Sequence, residues 1–162
     1  MTILQAREEL MYLTPLKDDC GRLCEGACCR SLEGEETGML LFPGEEALYD
    51  GLPGFRVKET ASGTLLVCSG TCDRTTRPLS CRLFPLLPTL RGDTLRVELD
   101  ERARPVCPLT RYGKAGLAVE FVEAVQRIGE ALAQDPEQAA FLRRLTAEQD
   151  DLRALRRQLT GR

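Results

Sequence analysis

Hydrophobic positions along the chain follow a helical period at both ends and an alternating one between them. Near the start, Ile3, Ala6, Leu10 and Leu13 recur at intervals of three and four residues, the signature of a helix with one apolar face. Over residues 1–16 this predicts a short amphipathic helix, ended at Thr14-Pro15 because proline disfavours helical geometry in the residue before it. Residues 40–51 read as a second short helix, with Pro43 and the pair Glu45-Glu46 in its first turn and Gly51 at its stop. The pattern then shortens. Phe55–Thr60 and residues 64–68 flank Ala61-Ser62-Gly63, while Leu86–Arg91 and Thr94–Leu99 flank Gly92-Asp93. Both predict β-hairpins, the second with a two-residue turn. From Tyr112 the helical period returns through Leu117, Phe121, Val122, Val125, Ile128 and Leu132. Asp135-Pro136 supplies an N-cap and a first-turn proline for a further helix. Its apolar stripe, Phe141, Leu142, Leu145, Leu152, Leu155 and Leu159, is thin.

The expected fold class is therefore α+β: a small irregular cysteine-cluster domain with short hairpins, stapled by metal, over residues 1–112, and an α-helical hairpin over residues 113–162. The boundary is marked by cysteine content, since no cysteine follows Cys107. The 162 residues carry 43% hydrophobic and 29% charged side chains, a globular composition. A formal charge of −3 gives no general electrostatic reason to expect nucleic acid or an anionic membrane as partner. Residues 1–14 show no basic segment leading into an apolar run, and no long uncharged stretch occurs. A cytoplasmic location without a membrane partner is the expectation.

Eight cysteines and no histidine decide which chemistry to look for. A histidine-based triad, a histidine metal ligand and a histidine general base are all excluded. The cysteines read C-x3-C-x3-C-C for Cys20, Cys24, Cys28 and Cys29; a gap of 38 residues follows. Next comes C-x3-C-x8-C-R-x-F-P for Cys68, Cys72 and Cys81, and 25 residues later Cys107-Pro108. Ligands a few residues apart can reach one ion while the backbone turns around it. In a reducing compartment, thiols in tight local groups favour metal ligation over a disulfide framework. All eight are candidate ligands, for zinc or for an iron–sulfur cluster, with a slight preference for iron–sulfur because its all-cysteine ligation tolerates irregular spacing. Adjacent Cys28 and Cys29 point in different directions in most backbone conformations, so they can serve two sites or two irons. The first four cysteines are expected to lie near the last four. Arg22, Arg30, Arg74, Arg77 and Arg82 flank the cysteines; Arg82, next to Cys81, is a candidate donor to sulfur, with plain solvation as the alternative.

Gly26-Ala27-Cys28-Cys29, followed by Arg77-Pro-Leu-Ser-Cys81-Arg-Leu-Phe-Pro85, resembles the YkgJ-type cysteine-cluster family, a zinc- or iron-chelating domain, over about residues 18–110. Against the family pattern, Cys20 and Cys24 are separated by three residues rather than two, the stretch between Cys72 and Cys81 is one residue short, and Arg74-Thr75 stands where Ile-Tyr is expected. The resemblance implies metal binding through the cysteines and points to an alternative: an enzyme related to flagellin lysine N-methylases, which are similar to the family in this region. Gly51-Leu-Pro-Gly54 and Gly113-Lys-Ala-Gly116 lack the setting of a phosphate or methyl-donor loop and read as a turn and a helix entry. A thiol-redox module would need C-x-x-C beside a βαβ unit, and neither is in the sequence.

The tail offers a protein-partner reading through its helices. Arg143, Arg144, Arg153, Arg156, Arg157 and Arg162 face Glu148, Asp150 and Asp151, a charge run that ordinarily forms a solvated helix face. Leu145, Leu152 and Leu159 recur every seven residues, too few for a coiled coil. Packing of the tail back onto the cluster region is the favoured expectation.

Overall fold

The computed structural model describes residues 1–30, 36, 38–70 and 72–161; Arg162 of the charge run lies outside them. Helix α1 (Ile3–Glu9) starts where the Thr2 hydroxyl accepts from the Gln5 N–H at 3.2 Å and the Gln5 side chain accepts from the Thr2 N–H at 2.8 Å, a capping box that satisfies donors at both ends of the turn. Its buried face carries Ala6 and Leu10. The helix ends five residues before Thr14, earlier than periodicity predicts. Arginines claim the carbonyls there: Arg82 Nη1 donates to the Arg7 oxygen at 3.1 Å and Arg74 Nε to the Met11 oxygen at 2.9 Å. Leu13 still packs against the core from the extended chain that follows.

Residues 40–51 form a tight 3-10 turn, Glu46–Tyr49, instead of an α-helix. Glu45 does not face water as a first-turn acid. It is fully buried, and its carboxylate accepts from the N–H groups of Phe42 and Leu79 and from Arg7 Nη1, all at 2.9–3.1 Å. Burial raises its pKa, partly opposed by those donors and by the Arg7 charge.

The first hairpin pairs β2 (Phe55–Thr60) with β3 (Gly63–Cys68) in antiparallel register, with Phe55 opposite Cys68. A third strand, β1 (Gly38–Leu40), which alternation did not reveal, pairs with the other edge of β3, giving the order β1-β3-β2. The second hairpin, β4 (Leu86–Arg91) and β5 (Thr94–Leu99), turns at Gly92-Asp93 as predicted, and Gly92 takes the positive φ (+60°) that such a turn requires.

Helix α4 (Val119–Leu132) and helix α5 (Pro136–Thr160) form the expected helical hairpin, with Asp135 capping the N–H groups of Glu137 and Gln138. Its apolar face shares one core with the second hairpin: Phe121, Val125, Ile128, Phe141, Leu142 and Leu145 pack with Leu86, Leu87, Leu90 and Val97. The core thus crosses the composition boundary near residue 112. Gly129 permits the close approach, since a Cβ there would stand 2.8 Å from Pro88 Cβ. A smaller core of Leu41, Tyr49 and Leu66 lies under the first sheet.

Beyond Leu145 the stripe on α5 leaves the core, and Leu155 and Leu159 are 51% and 78% exposed. Polar contacts hold this half instead. Gln149 is buried, accepting from the Glu101 N–H and donating to Asp100. Arg153 pairs with Glu98 and Glu101, and Arg156 with Glu101. Two arginines of the predicted solvated face are therefore anchors to the preceding segment. No helix among the described residues is long and apolar enough to cross a membrane.

Candidate metal centre

Cys20 occupies the N-cap of a single helical turn, α2 (Gly21–Cys24), whose entry is fixed by the Asp19 carboxylate accepting from the Gly21 N–H at 3.0 Å. Cys20 and Cys24 are four residues apart and so sit one above the other on the same side of the turn. Glu25 and Gly26 then take left-handed conformations (φ +51° and +70°) that stop the helix and reverse the chain. Arg30 donates to both the backbone oxygen and the carboxylate of Glu25 at 2.8 Å, closing the loop over the 3-10 turn Ala27–Cys29.

The second group arrives from the end of β3, where Cys68 is the last strand residue. Cys72 follows a short way on, and Cys81 lies in the middle of α3 (Leu79–Leu83), a five-residue helix absent from the predicted elements. Leu79 and Leu83 anchor α3 in the main core, leaving Cys81 on the side facing the loops. Cys107 ends a turn, its N–H donating to the Ala103 oxygen at 2.7 Å and its carbonyl accepting from Thr110 N–H at 3.2 Å.

All eight cysteines line one of two adjoining cavities. The first, about 60 Å³, takes Cys20, Cys24, Cys28, Cys81 and Cys107 beside apolar side chains such as Leu10 and Phe84. The second, about 30 Å³, takes Cys28, Cys29, Cys68, Cys72 and Cys81. Segments far apart in sequence thus meet at one place. No cysteine is in a disulfide. Among the described residues, no three His, Cys, Asp or Glu side chains are grouped closely enough to hold a metal ion as they stand. The donor set suits a soft metal by its chemistry, and ligation would require the thiols to draw closer together. One rotamer change about the Cα–Cβ bond moves a cysteine sulfur by about 3 Å.

Electrostatics show what such a step must overcome. Burial pushes the Cys20 thiol up, and the neighbouring Asp19, Cys24 and Cys107 add to the push against Arg77. Burial likewise raises Cys81, with Cys72, Cys29 and Cys68 adding. The Cys28 and Cys29 sulfurs are 3.9 Å apart, and the hydrogen bond between them drives Cys28 upward and lowers Cys29 to about 6. Burial raises Cys107, while the backbone N–H groups of Leu109 and Thr110 favour its thiolate. Cys20, Cys28, Cys81 and Cys107 are thus held towards the protonated form, and a divalent cation among them would oppose those upward pushes.

Arg77 is the cation placed for this work. Burial acts to lower its pKa, but a hydrogen bond with Cys72 and the charges of Cys72, Cys29 and Cys81 raise it overall. Arg82, the candidate named from sequence, turns away from sulfur of the cysteines. Its guanidinium donates to the carbonyls of Arg77, Arg7, Arg74 and Thr75 at 2.6–3.2 Å and to Met11 Sδ at 3.4 Å, which uses all five N–H groups. Sequence distance misled here: a residue next to a cysteine on a helix points about 100° away from it, whereas Arg77 lies one turn earlier in the loop. Arg30 is spent on Glu25 and Arg74 Nε on Met11.

Compared with family models, with curated proteins and with solved structures, the chain matches none.

Proposed function

We propose that this chain is a thiolate metal-binding protein of the YkgJ-type cysteine-cluster kind, holding zinc or an iron–sulfur centre through Cys20, Cys24, Cys28, Cys29, Cys68, Cys72, Cys81 and Cys107. The observation that carries the reading is the convergence of all eight cysteines, none in a disulfide, on two adjoining cavities. A bound metal supplies positive charge and converts the surrounding thiols to thiolates. The chain's own residues do the rest. Arg77 offsets the resulting negative charge from beside Cys72, and the Leu109 and Thr110 N–H groups favour the Cys107 thiolate. Leu10, Phe84 and Leu109 keep water from one side of the first cavity.

None of residues 18–30 is fully buried, so a metal there would contribute folding free energy to a segment with little apolar surface of its own to bury. The role proposed is structural, in a reducing compartment such as the cytoplasm, where reduced thiols persist. Metal analysis with an absorption spectrum, on protein purified without air, tests the reading. Stoichiometric zinc without colour, or iron with acid-labile sulfide and a band near about 400 nm from thiolate-to-iron charge transfer, supports it. Protein that is metal-free and fails to take up added zinc overturns it.

A further inference from the structure

Building on the metal-binding reading, we infer that the cysteines form two separate four-thiol sites, each taking one thiophilic divalent cation of the zinc type: Cys20, Cys24, Cys28 and Cys107 in one, and Cys29, Cys68, Cys72 and Cys81 in the other. The Cys28–Cys29 peptide is the joint between them, giving one thiol to each side.

The cavities draw most of this division. Cys20, Cys24 and Cys107 line the first alone, and Cys29, Cys68 and Cys72 line the second alone. Cys28 and Cys81 border both. Their neighbours assign them. Cys81 lines the second cavity with Cys29, Cys68 and Cys72, and these three are the thiols whose charges act on it. Cys28 lines the first cavity with Cys20, Cys24 and Cys107, and after its chain neighbour Cys29 the charge of Cys24 acts on it most. Within the first set, the charges of Cys24 and Cys107 act on Cys20. Each set then contains four thiols, the number that closes a tetrahedral structural zinc site.

Size agrees with the count. The cavities are about 60 Å³ and about 30 Å³, and a water occupies about 30 Å³ in the liquid. Each has room for at least one ion. Charge agrees as well. Four thiolates around a divalent cation leave a net −2 per site, and the Arg77 guanidinium is felt by Cys20 of the first set and by Cys29 and Cys81 of the second. It is a counter-charge common to both. Binding moves no electrons: each cation forms four metal–sulfur bonds and the displaced thiol protons go to solvent.

The test is an anaerobic titration of the reduced, metal-free full-length chain with Co²⁺, whose tetrahedral thiolate complexes absorb in the visible. The wild-type signal is expected to saturate at two equivalents. Cys107→Ser and Cys68→Ser, each removing one ligand from a different set, are expected to keep one tetrathiolate equivalent apiece. A wild-type endpoint at one equivalent, or iron and sulfide purifying as one centre, overturns the division while leaving metal binding intact. Loss of all cobalt from both single variants also overturns it, provided α4 and α5 retain their helical circular-dichroism signal. If a variant does not fold, the wild-type endpoint decides alone. No cobalt bound by the wild type at all overturns the metal-binding reading itself.

Discussion

The backbone oxygen of Cys29 lies 3.2 Å from where a Cβ on Gly70 would sit. Gly70 has φ +97°, a conformation open to glycine and strained for other residues. This approach seats the end of the first cysteine group against Gly70, two residues past Cys68. Gly70→Ala is expected to lower stability by about 1–3 kcal/mol and to weaken metal uptake at Cys29, Cys68, Cys72 and Cys81 more than at the other four thiols. A denaturant melt with a cobalt titration checks both parts. An alanine variant with wild-type melting and uptake would show that the contact is dispensable.

Cys81→Ser separates metal-dependent folding from the folding of the helical half. Structural zinc contributes on the order of 10 kcal/mol of folding free energy, against a domain stability of about 5–15. The variant is expected to lose metal and the ordered structure of the cysteine loops. Helices α4 and α5 are expected to persist with β4 and β5, because Phe121, Ile128, Leu142 and Leu145 pack on Leu86, Leu90 and Val97, with Cys20 and Cys107 only partly buried against this core. Metal content and far-ultraviolet circular dichroism report the two halves separately. Full metal and unchanged melting would remove Cys81 from the ligand set.

The two arginines of the region should separate by phenotype. Arg82 is 6% exposed and holds four backbone carbonyls. Truncation takes this donor from the Arg7, Arg74 and Arg77 carbonyls, the Thr75 carbonyl keeping Arg7 Nη2, so Arg82→Ala should cost on the order of 3–5 kcal/mol, with or without metal. Arg77→Ala should leave the metal-free protein melting near wild type and weaken metal binding about 10–100-fold. Melting curves and competition with a metal indicator check the pair. The opposite assignment of the two effects would contradict the structure.

How far these features were legible in sequence depended on how local their causes are. Both hairpins and the α4–α5 pair were readable because alternation, a two-residue turn at Gly92-Asp93 and the Asp135-Pro136 cap act within a few residues. The end of α1 was not, because Arg74 and Arg82, some 60 to 75 residues away, take its carbonyls. Strand β1 is three residues long and exists through its pairing with β3, and α3 is set by the burial of Leu79 and Leu83. Glu45 reads as a helix-start acid until Arg7 and the Leu79 N–H are seen to surround it. Among the cysteines, type and spacing give the expectation of metal ligation, while their meeting around two cavities is a property of the folded chain.

Acid should loosen the far half of α5. Burial pushes the Glu98 and Glu101 carboxyls up, but the guanidiniums around them (Arg91 and Arg153 at Glu98, and Arg104, Arg153 and Arg156 at Glu101) outweigh it, holding both below the usual carboxylate range. A folded-state pKa below the unfolded value contributes stability that is present above the unfolded value, near about 4.3 for glutamate, and is lost as pH falls through the folded one. Amide protection factors across Leu152, Leu155 and Leu159, taken relative to the intrinsic rate at each pH, are therefore expected to fall below about pH 4, while those at Leu142 and Leu145, held by apolar packing, stay high. Uniform exchange along α5 at both acid and neutral pH would contradict the anchoring role of Arg153.

Stepwise modification of the thiols with a mercurial reagent, while an indicator follows metal released from the anaerobically purified chain, tests the central claim most directly. Metal release in step with modification, at about four thiols per ion as a closed tetrahedral site requires, is the expected result. Modification of the eight thiols with no metal released would contradict it.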